Sequence, residues 1–284
     1  MKNLDLLTIF VGAYPAQPAT AFWRAIEISA LAACDIPQGF GLDLGCGDGI
    51  LTDILLDRIG SRRLVGIDPD PEEATAAQNY RFYDRVHNCG GDAVPESDST
   101  FDFVISNSVL EHIPLLEPVI AEISRVLMRG GQFFFTVPGP AFHNNLAGSV
   151  FPHIHRERYL NAIDKRLAHF HYLSPEDWVE ICSAHGLVVD SCRGYLSRAE
   201  TQRWETLSRM TGGLLYSLFG ERSRPIEIQR KLGARNLQNR WQLPSGISVV
   251  VSQLVCLGIP TDFGEPTWID TSIASCLLVQ GRRS

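Results

Sequence analysis

The sequence predicts an α/β chain built on a doubly wound, mostly parallel sheet. Three observations carry that expectation. Strand-like and helical stretches alternate at intervals of about 20–25 residues, the spacing of a strand, a crossover helix and the next strand. The first strand runs directly into a turn with three glycines, Gly45-Cys46-Gly47-Asp48-Gly49, and the turn runs into a helix. Acidic or amide residues then recur just past the ends of successive strands, at Asp68, Asp92 and Asn107. With 284 residues, 45% of them hydrophobic, the chain can bury the core of one large domain, and no low-complexity period interrupts it.

Residues 22–33 place apolar side chains at helical spacing, and Pro37 and Gly39 end that run. Residues 41–44 read as a strand and 50–59 as a helix. Residues 64–67 form a second strand, 71–81 a helix, 85–89 a short third strand and 101–106 a fourth. Residues 116–127 follow as a helix and 132–137 as a fifth strand. A cap-like Ser174-Pro-Glu-Asp opens a helix over 174–185, which Gly186 closes before a strand at 187–192. Residues 273–280 are the last strand, the expected partner of 187–192. Two stretches depart from the alternation. Residues 139–172 form a long connection rich in histidine and aromatics, and 196–245 are mostly helical in texture.

Lys plus Arg (25) against Asp plus Glu (32) leaves a net charge of −7, the wrong sign for a nucleic-acid binder. The charge is uneven: ten Lys/Arg and four Asp/Glu between Arg193 and Arg240 make that stretch +6, so the remainder carries −13. The seven cysteines are odd in number and none has CxxC spacing, so they read as thiols of a reducing, cytoplasmic compartment, with no metal site. The N-terminus lacks the charged region and cleavage site of a signal peptide. The longest apolar run, 247–259, is 13 residues and contains Ser252 and Gln253, too short to span a bilayer.

Glycines in a strand-to-helix turn let the backbone approach a ligand closely, and the helix behind them offers free N–H groups. Their Gly-x-Gly-x-Gly spacing differs from the Gly-x-Gly-x-x-Gly of dinucleotide sites. Asp43, two residues before the first glycine, would repel a pyrophosphate but suits a cationic amine. Asp68 ends the second strand, where a carboxylate can accept from both hydroxyls of a ribose. Asp92 follows the third strand, where it can accept from an adenine amino group. Asn107 ends the fourth, on the carboxyl edge where open α/β sheets bind ligands. Any one of these groups could be a plain helix cap. A series in register at successive strand ends points instead to a shared ligand.

The segments GLDLGCGDG, LVGIDPDP, GGDAVPESDSTFDFVISNSVLEHI and ISRVLMRGGQFFFTVPGP resemble successive motifs of class I S-adenosylmethionine-dependent methyltransferases. They are most similar to the small-molecule branch called methyltransferase type 11. The likeness is dense over 39–138 and continues through HYLSPEDWVEICSAHGLVVD to about residue 193. It implies a Rossmann-like sheet of seven strands, six parallel and one antiparallel, with an N-terminal helical cap and a C-terminal helical insert. It also implies S-adenosyl-L-methionine as cofactor, released as S-adenosyl-L-homocysteine. Asp43, Gly45, Cys46, Gly47 and Gly49 would then surround the methionine moiety, with Asp68 and Pro69 at the ribose. Asp92 and Ala93 would face the adenine, and the Asn107 carbonyl would meet the amino group. Arg24, in Phe22-Trp23-Arg24, would pair with the methionine carboxylate, a solvated helix arginine being the plain alternative.

Methyl transfer to oxygen needs an aligned acceptor and a base near neutral pKa, which directs attention to histidine. His143, His153, His155, His169 and His171 lie in the long connection, and His112 follows the fourth strand. The candidate bases are His112, then His171, then His143. The two His-x-His pairs lack the neighbouring ligands a metal site needs, so no metal is expected. The fourth strand lacks the Pro-Pro-Tyr of nucleobase N-methylation, and no Pro-Cys marks a cytosine nucleophile.

The chain is thus expected to be one domain: a cap (1–38), a cofactor core (39–193), an insert or lid (194–270) and a final strand with its tail (271–284). The expected reaction is O-methylation of a small acceptor, a sugar or natural-product intermediate. Carbon or nitrogen methylation, or a non-catalytic binding protein on the same fold, are the alternatives. The basic insert suits an anionic or carrier-linked acceptor. Its apolar residues Trp204, Leu214, Leu215, Tyr216, Leu218 and Phe219 could cover the acceptor, dimerise or rest on a membrane along 204–219.

Overall fold

A computed structural model describes residues 5–15, 17–210, 242–259 and 263–284. The described strands are β1 (Phe40–Leu44), β2 (Arg63–Ile67), β3 (Tyr83–His87), β4 (Phe101–Asn107), β5 (Leu127–Pro138), β6 (Leu187–Tyr195) and β7 (Cys276–Arg283). They form one seven-stranded sheet in the order β3-β2-β1-β4-β5-β7-β6. β7 alone runs antiparallel, between β5 and β6. This is the Rossmann-like arrangement expected. The strand order reverses between β1 and β4, the point at whose carboxyl edge open α/β sheets bind their ligands.

Helices cover both faces because the strands alternate their side chains. Phe134 enters one apolar layer, while Phe133 and Phe135 enter the other. The first layer is closed by α1 (Leu6–Ala13), α2 (Pro18–Ala32), α3 (Ile50–Ile59), α9 (Arg198–Ser208) and α10 (Ser245–Val255). The second is closed by α5 (Leu116–Val126) and α8 (Pro175–Ala184), which bury Val119, Ile120, Ile123, Trp178 and Cys182. α8 has the capping box its sequence suggested, Ser174 accepting from the Asp177 N–H and Asp177 from the Ser174 N–H.

Several boundaries differ from expectation, each for a local reason. The cap has two helices: Asp5 caps α1 by accepting from the Thr8 N–H at 2.7 Å, and α2 starts early because Pro18 fills its first turn. α4 (Pro71–Ala77) ends short of residue 81, and Asn79 turns back onto the Ala76 carbonyl at 3.0 Å, so β3 begins at Tyr83. The long connection contains α6 (Phe142–Asn145) and α7 (Arg156–Leu167). The last strand starts at Cys276 rather than 273, because Asn145 holds the Ile273 carbonyl and the Ser275 hydroxyl, both at 2.8 Å. It pairs with β5 as well as with β6.

The apolar run 247–259 is largely α10, joined to α1 where the Thr8 and Ser252 hydroxyls lie 2.9 Å apart. Trp204, read from sequence as an acceptor cover or membrane contact, belongs to the core: it is buried, with its ring 5.2 Å from Trp23. Leu214, Leu215, Tyr216, Leu218 and Phe219 lie outside the described residues. No helix among the described residues is long and apolar enough to cross a membrane.

Candidate active site

The loop between β1 and α3 turns on Gly45, Gly47 and Gly49, with φ of 78°, 54° and 83°. A Cβ on Gly45 would fall 2.4 Å from Val109 Cγ2, and one on Gly49 would fall 2.7 Å from the Tyr80 ring. Only glycine fits both the torsion and the space at these two positions. The Gly45 and Cys46 N–H groups donate to the Ile67 carbonyl at 2.9 Å, which fastens the loop to the end of β2.

Asp68 continues that attachment. One of its carboxylate oxygens accepts from the Gly47 N–H and the other from the Asp70 N–H, both at 2.9 Å. Partial burial raises its pKa against the pull of these two bonds. Each oxygen keeps a second lone pair that a ribose hydroxyl could use. Pro69, Asp92 and Ala93 are exposed along the same edge.

Asp43 is placed differently from its expected position beside a cofactor amine. It is buried between β1 and α3, accepting from the Thr52 hydroxyl at 2.5 Å and from the Tyr83 hydroxyl. Burial lifts its pKa to about 6. Its carboxyl group therefore braces the base of the loop. Cys46 is also buried, which pushes its thiol well up and leaves it unreactive.

A polar cluster joins α2 to the ends of β4 and β5. The buried Glu27 pairs with Arg24, accepts from the Ser108 hydroxyl and lies 3.0 Å from the Thr136 hydroxyl. That hydroxyl also lies 2.6 Å from Asn107 Oδ1, and its single proton can serve only one of the two. The buried Asn107 Nδ2 has no partner among the described residues. Burial opposes the charge on Arg24, but Glu27 outweighs it and raises the guanidinium pKa. The arginine expected at the methionine carboxylate therefore has a carboxylate of its own chain.

Beside this cluster stand three titratable groups. His112, in the short 3-10 turn Leu110–His112, has Nδ1 3.0 Å from the Ala168 carbonyl. That partner assigns the proton to Nδ1 and leaves Nε2 as an acceptor, 3.9 Å from Glu111 Oε1. Glu111 is buried, its Oε2 has no hydrogen-bond partner among the described residues, and burial raises its pKa to about 8. His169 lies with its ring 5.2 Å from that of His112. One ligand atom from each of Glu111, His112 and His169 falls within 4.8 Å of the others, so this group could hold a metal ion.

The other two candidate bases are tied elsewhere. His171 Nε2 lies 2.8 Å from the Ile113 carbonyl, and His143 Nε2 lies 2.7 Å from Asp164 Oδ1. His153 and His155 are exposed, His155 as the residue before α7. Sequence reasoning did not single out Glu111 or His169. The available signal was an acid enclosed by apolar residues in Val109-Leu-Glu-His-Ile, a context that buries it.

Glu111 makes stability depend on pH. Its folded pKa, about 8, lies above the ordinary glutamate value near 4.3, so its contribution is complete at low pH and is lost as pH rises through 8. Glu111→Gln is therefore expected to raise the melting temperature at pH 8 and to leave it nearly unchanged at pH 5. An equal shift at both pH values would contradict the burial of an ionisable group here.

The glycine loop, the acid tied to it from β2 and the polar cluster over β4 and β5 define an open α/β protein with its polar groups gathered along the carboxyl edge. Residues 42–135 match the methyltransferase domain family, and the chain carries a class I S-adenosylmethionine-dependent methyltransferase domain, with S-adenosylmethionine as its cofactor. The mitochondrial ubiquinone biosynthesis O-methyltransferase of Mus musculus is 32% identical over 197 residues, 66% of this chain and 51% of that protein. The ubiquinone biosynthesis O-methyltransferase of Nitrosococcus oceani is 25% identical over 169 residues, 57% of this chain and 69% of that one. The chain spans about half the length of the mammalian relatives it matches.

Among solved structures, an S-adenosylmethionine-dependent methyltransferase of Thermotoga maritima aligns with a TM-score of 0.53 and 12% identity, over 98% of this chain and 100% of that one. The cyclase SpnF aligns with a TM-score of 0.54 and 13% identity, over 93% and 80%. At such identities the likeness is one of fold.

Proposed function

We propose that this protein transfers the methyl group of S-adenosylmethionine to a hydroxyl oxygen of a small, aromatic acceptor. The reading rests on one observation above all: His112 Nε2 is left as an acceptor at the carboxyl edge, beside the buried Glu111. The relatives named as ubiquinone biosynthesis O-methyltransferases support oxygen as the acceptor atom. An aromatic acceptor is favoured over a sugar because Phe170, 57% exposed, stands between His169 and His171 in the chain and offers an apolar surface. The Phe170 N–H donates to the Glu111 carbonyl at 2.8 Å, which fixes that residue beside the cluster.

When bound, the cofactor supplies a methyl group activated on sulfonium. The glycine loop and Asp68 would hold it along the edge, with the cap helix α2 excluding water. That methyl group would be the one transferred to the acceptor oxygen, and His112 Nε2 would take the hydroxyl proton. The surrounding protein lowers the His112 pKa, so the ring is neutral and ready to accept a proton at pH 7.

Incubation with S-adenosylmethionine and a panel of phenols and catechols, read by mass spectrometry, should give an O-methylated product. In His112→Gln kcat should fall by about 10²-fold or more, and the wild-type acid limb should lie below the ordinary imidazole value near 6.5. Full activity in His112→Gln would remove His112 as the base.

A further inference from the structure

The second histidine of the cluster, His169, has no role in the transfer described above, yet its partners specify one of its ring nitrogens. Its Nδ1 lies 3.1 Å from the Tyr172 hydroxyl. That hydroxyl donates to Asp164 Oδ1 at 2.5 Å, and the same oxygen receives His143 Nε2 at 2.7 Å. A phenol that gives its only proton to a carboxylate can offer His169 nothing but a lone pair. Nδ1 must therefore carry the proton, and Nε2 is left without one.

We propose that His169 is a further active-site residue, whose Nε2 accepts a hydrogen bond from the neighbouring, unmethylated hydroxyl of a catechol-type acceptor, and that Asp164 and Tyr172 are positioning residues that fix it in this form. The assignment rests on the O-methyl transfer reading. Aromatic packing holds the chain of bonds in place. Tyr172 stacks on the buried Phe142 with ring centroids 5.6 Å apart and planes 12° apart, and His143 lies 4.4 Å from Tyr172. Asp164 is on α7 and Phe142 on α6, so two helices of the long connection hold one imidazole. Burial, with His112 and His143 nearby, lowers the His169 pKa to about 3, which keeps the ring neutral. A fixed, neutral lone pair selects a hydroxyl donor and rejects a carboxylate at this position.

The tautomer can be read directly by long-range 15N–1H NMR on histidine-labelled protein. In the wild type at pH 7, His169 is expected as a neutral ring protonated at Nδ1. Tyr172→Phe keeps the stacked ring and removes the hydroxyl. It should give a mixture of tautomers and lower kcat on catechol about tenfold, with S-adenosylmethionine affinity unchanged and a native melting curve.

A wild-type His169 protonated at Nε2, or at both nitrogens, overturns the assignment whether or not catechol is methylated. So does an unchanged kcat in Tyr172→Phe when the wild type turns catechol over. If the wild type methylates no phenol or catechol, the O-methyl transfer reading fails, and with it the assigned role of His169.

Discussion

Gly45→Ala is expected to weaken S-adenosylmethionine binding by about 100-fold or more, the strain falling where the loop must hold its ligand. Two penalties coincide at this residue. Its φ of 78° is unfavourable for any side chain, and the new Cβ would meet Val109 Cγ2 at 2.4 Å and Cγ1 at 2.7 Å. Val109 leads directly into the Leu110–His112 turn, so its displacement reaches the proposed base as well. Gly47 supplies the internal control. It also has positive φ, but a Cβ there would find only Glu73 Oε2, at 3.8 Å. Gly47→Ala should therefore weaken binding much less. Equal losses in the two variants, measured by calorimetry, would show that torsion alone limits the loop.

Glu27→Ala should be the most destabilising single change in the cap. The carboxylate is buried, and it pairs with Arg24, accepts from Ser108 and lies 3.0 Å from the Thr136 hydroxyl. Its removal leaves a guanidinium without its partner and the Ser108 hydroxyl without this acceptor, while Thr136 can still donate to Asn107 Oδ1. Breaking a fully buried pair costs 3–5 kcal/mol, but Arg24 keeps partial access to water, so about 3 kcal/mol is expected. In a chain of this size that lowers the melting temperature by about 6–12 °C. Arg24→Ala combined with Glu27→Ala should recover part of the loss, because no unpaired charge then remains. A melting temperature unchanged in Glu27→Ala would contradict the cluster.

The sheet was largely legible because each strand pairs apolar alternation with a turn or cap at its end. The glycine loop and Asp68 were legible as a spacing that has few structural explanations. α1 was not, because Leu6, Leu7, Phe10 and Val11 are all buried and leave no polar face to show a helical period. Asp43 was misplaced because sequence spacing does not say which face of a strand a side chain takes, and the inner face leads to Thr52 and Tyr83.

The histidine cluster was visible as a composition but not as an arrangement. What separates His169 from His171 is the partner of each ring: one meets Tyr172, the other the Ile113 carbonyl. Those partners depend on how α6, α7 and the turn after β4 pack together. Glu111 was hidden for the same reason, since its burial and its unpartnered oxygen arise only from the assembled edge.

Calorimetric titration of S-adenosylmethionine into the wild-type protein and into Asp68→Ala tests the cofactor edge most directly. Saturable one-site binding by the wild type, lost in Asp68→Ala, is the expected result. No binding by the wild type, or binding undiminished in Asp68→Ala, would contradict the assignment of the β1–α3 loop and the end of β2 as the cofactor site.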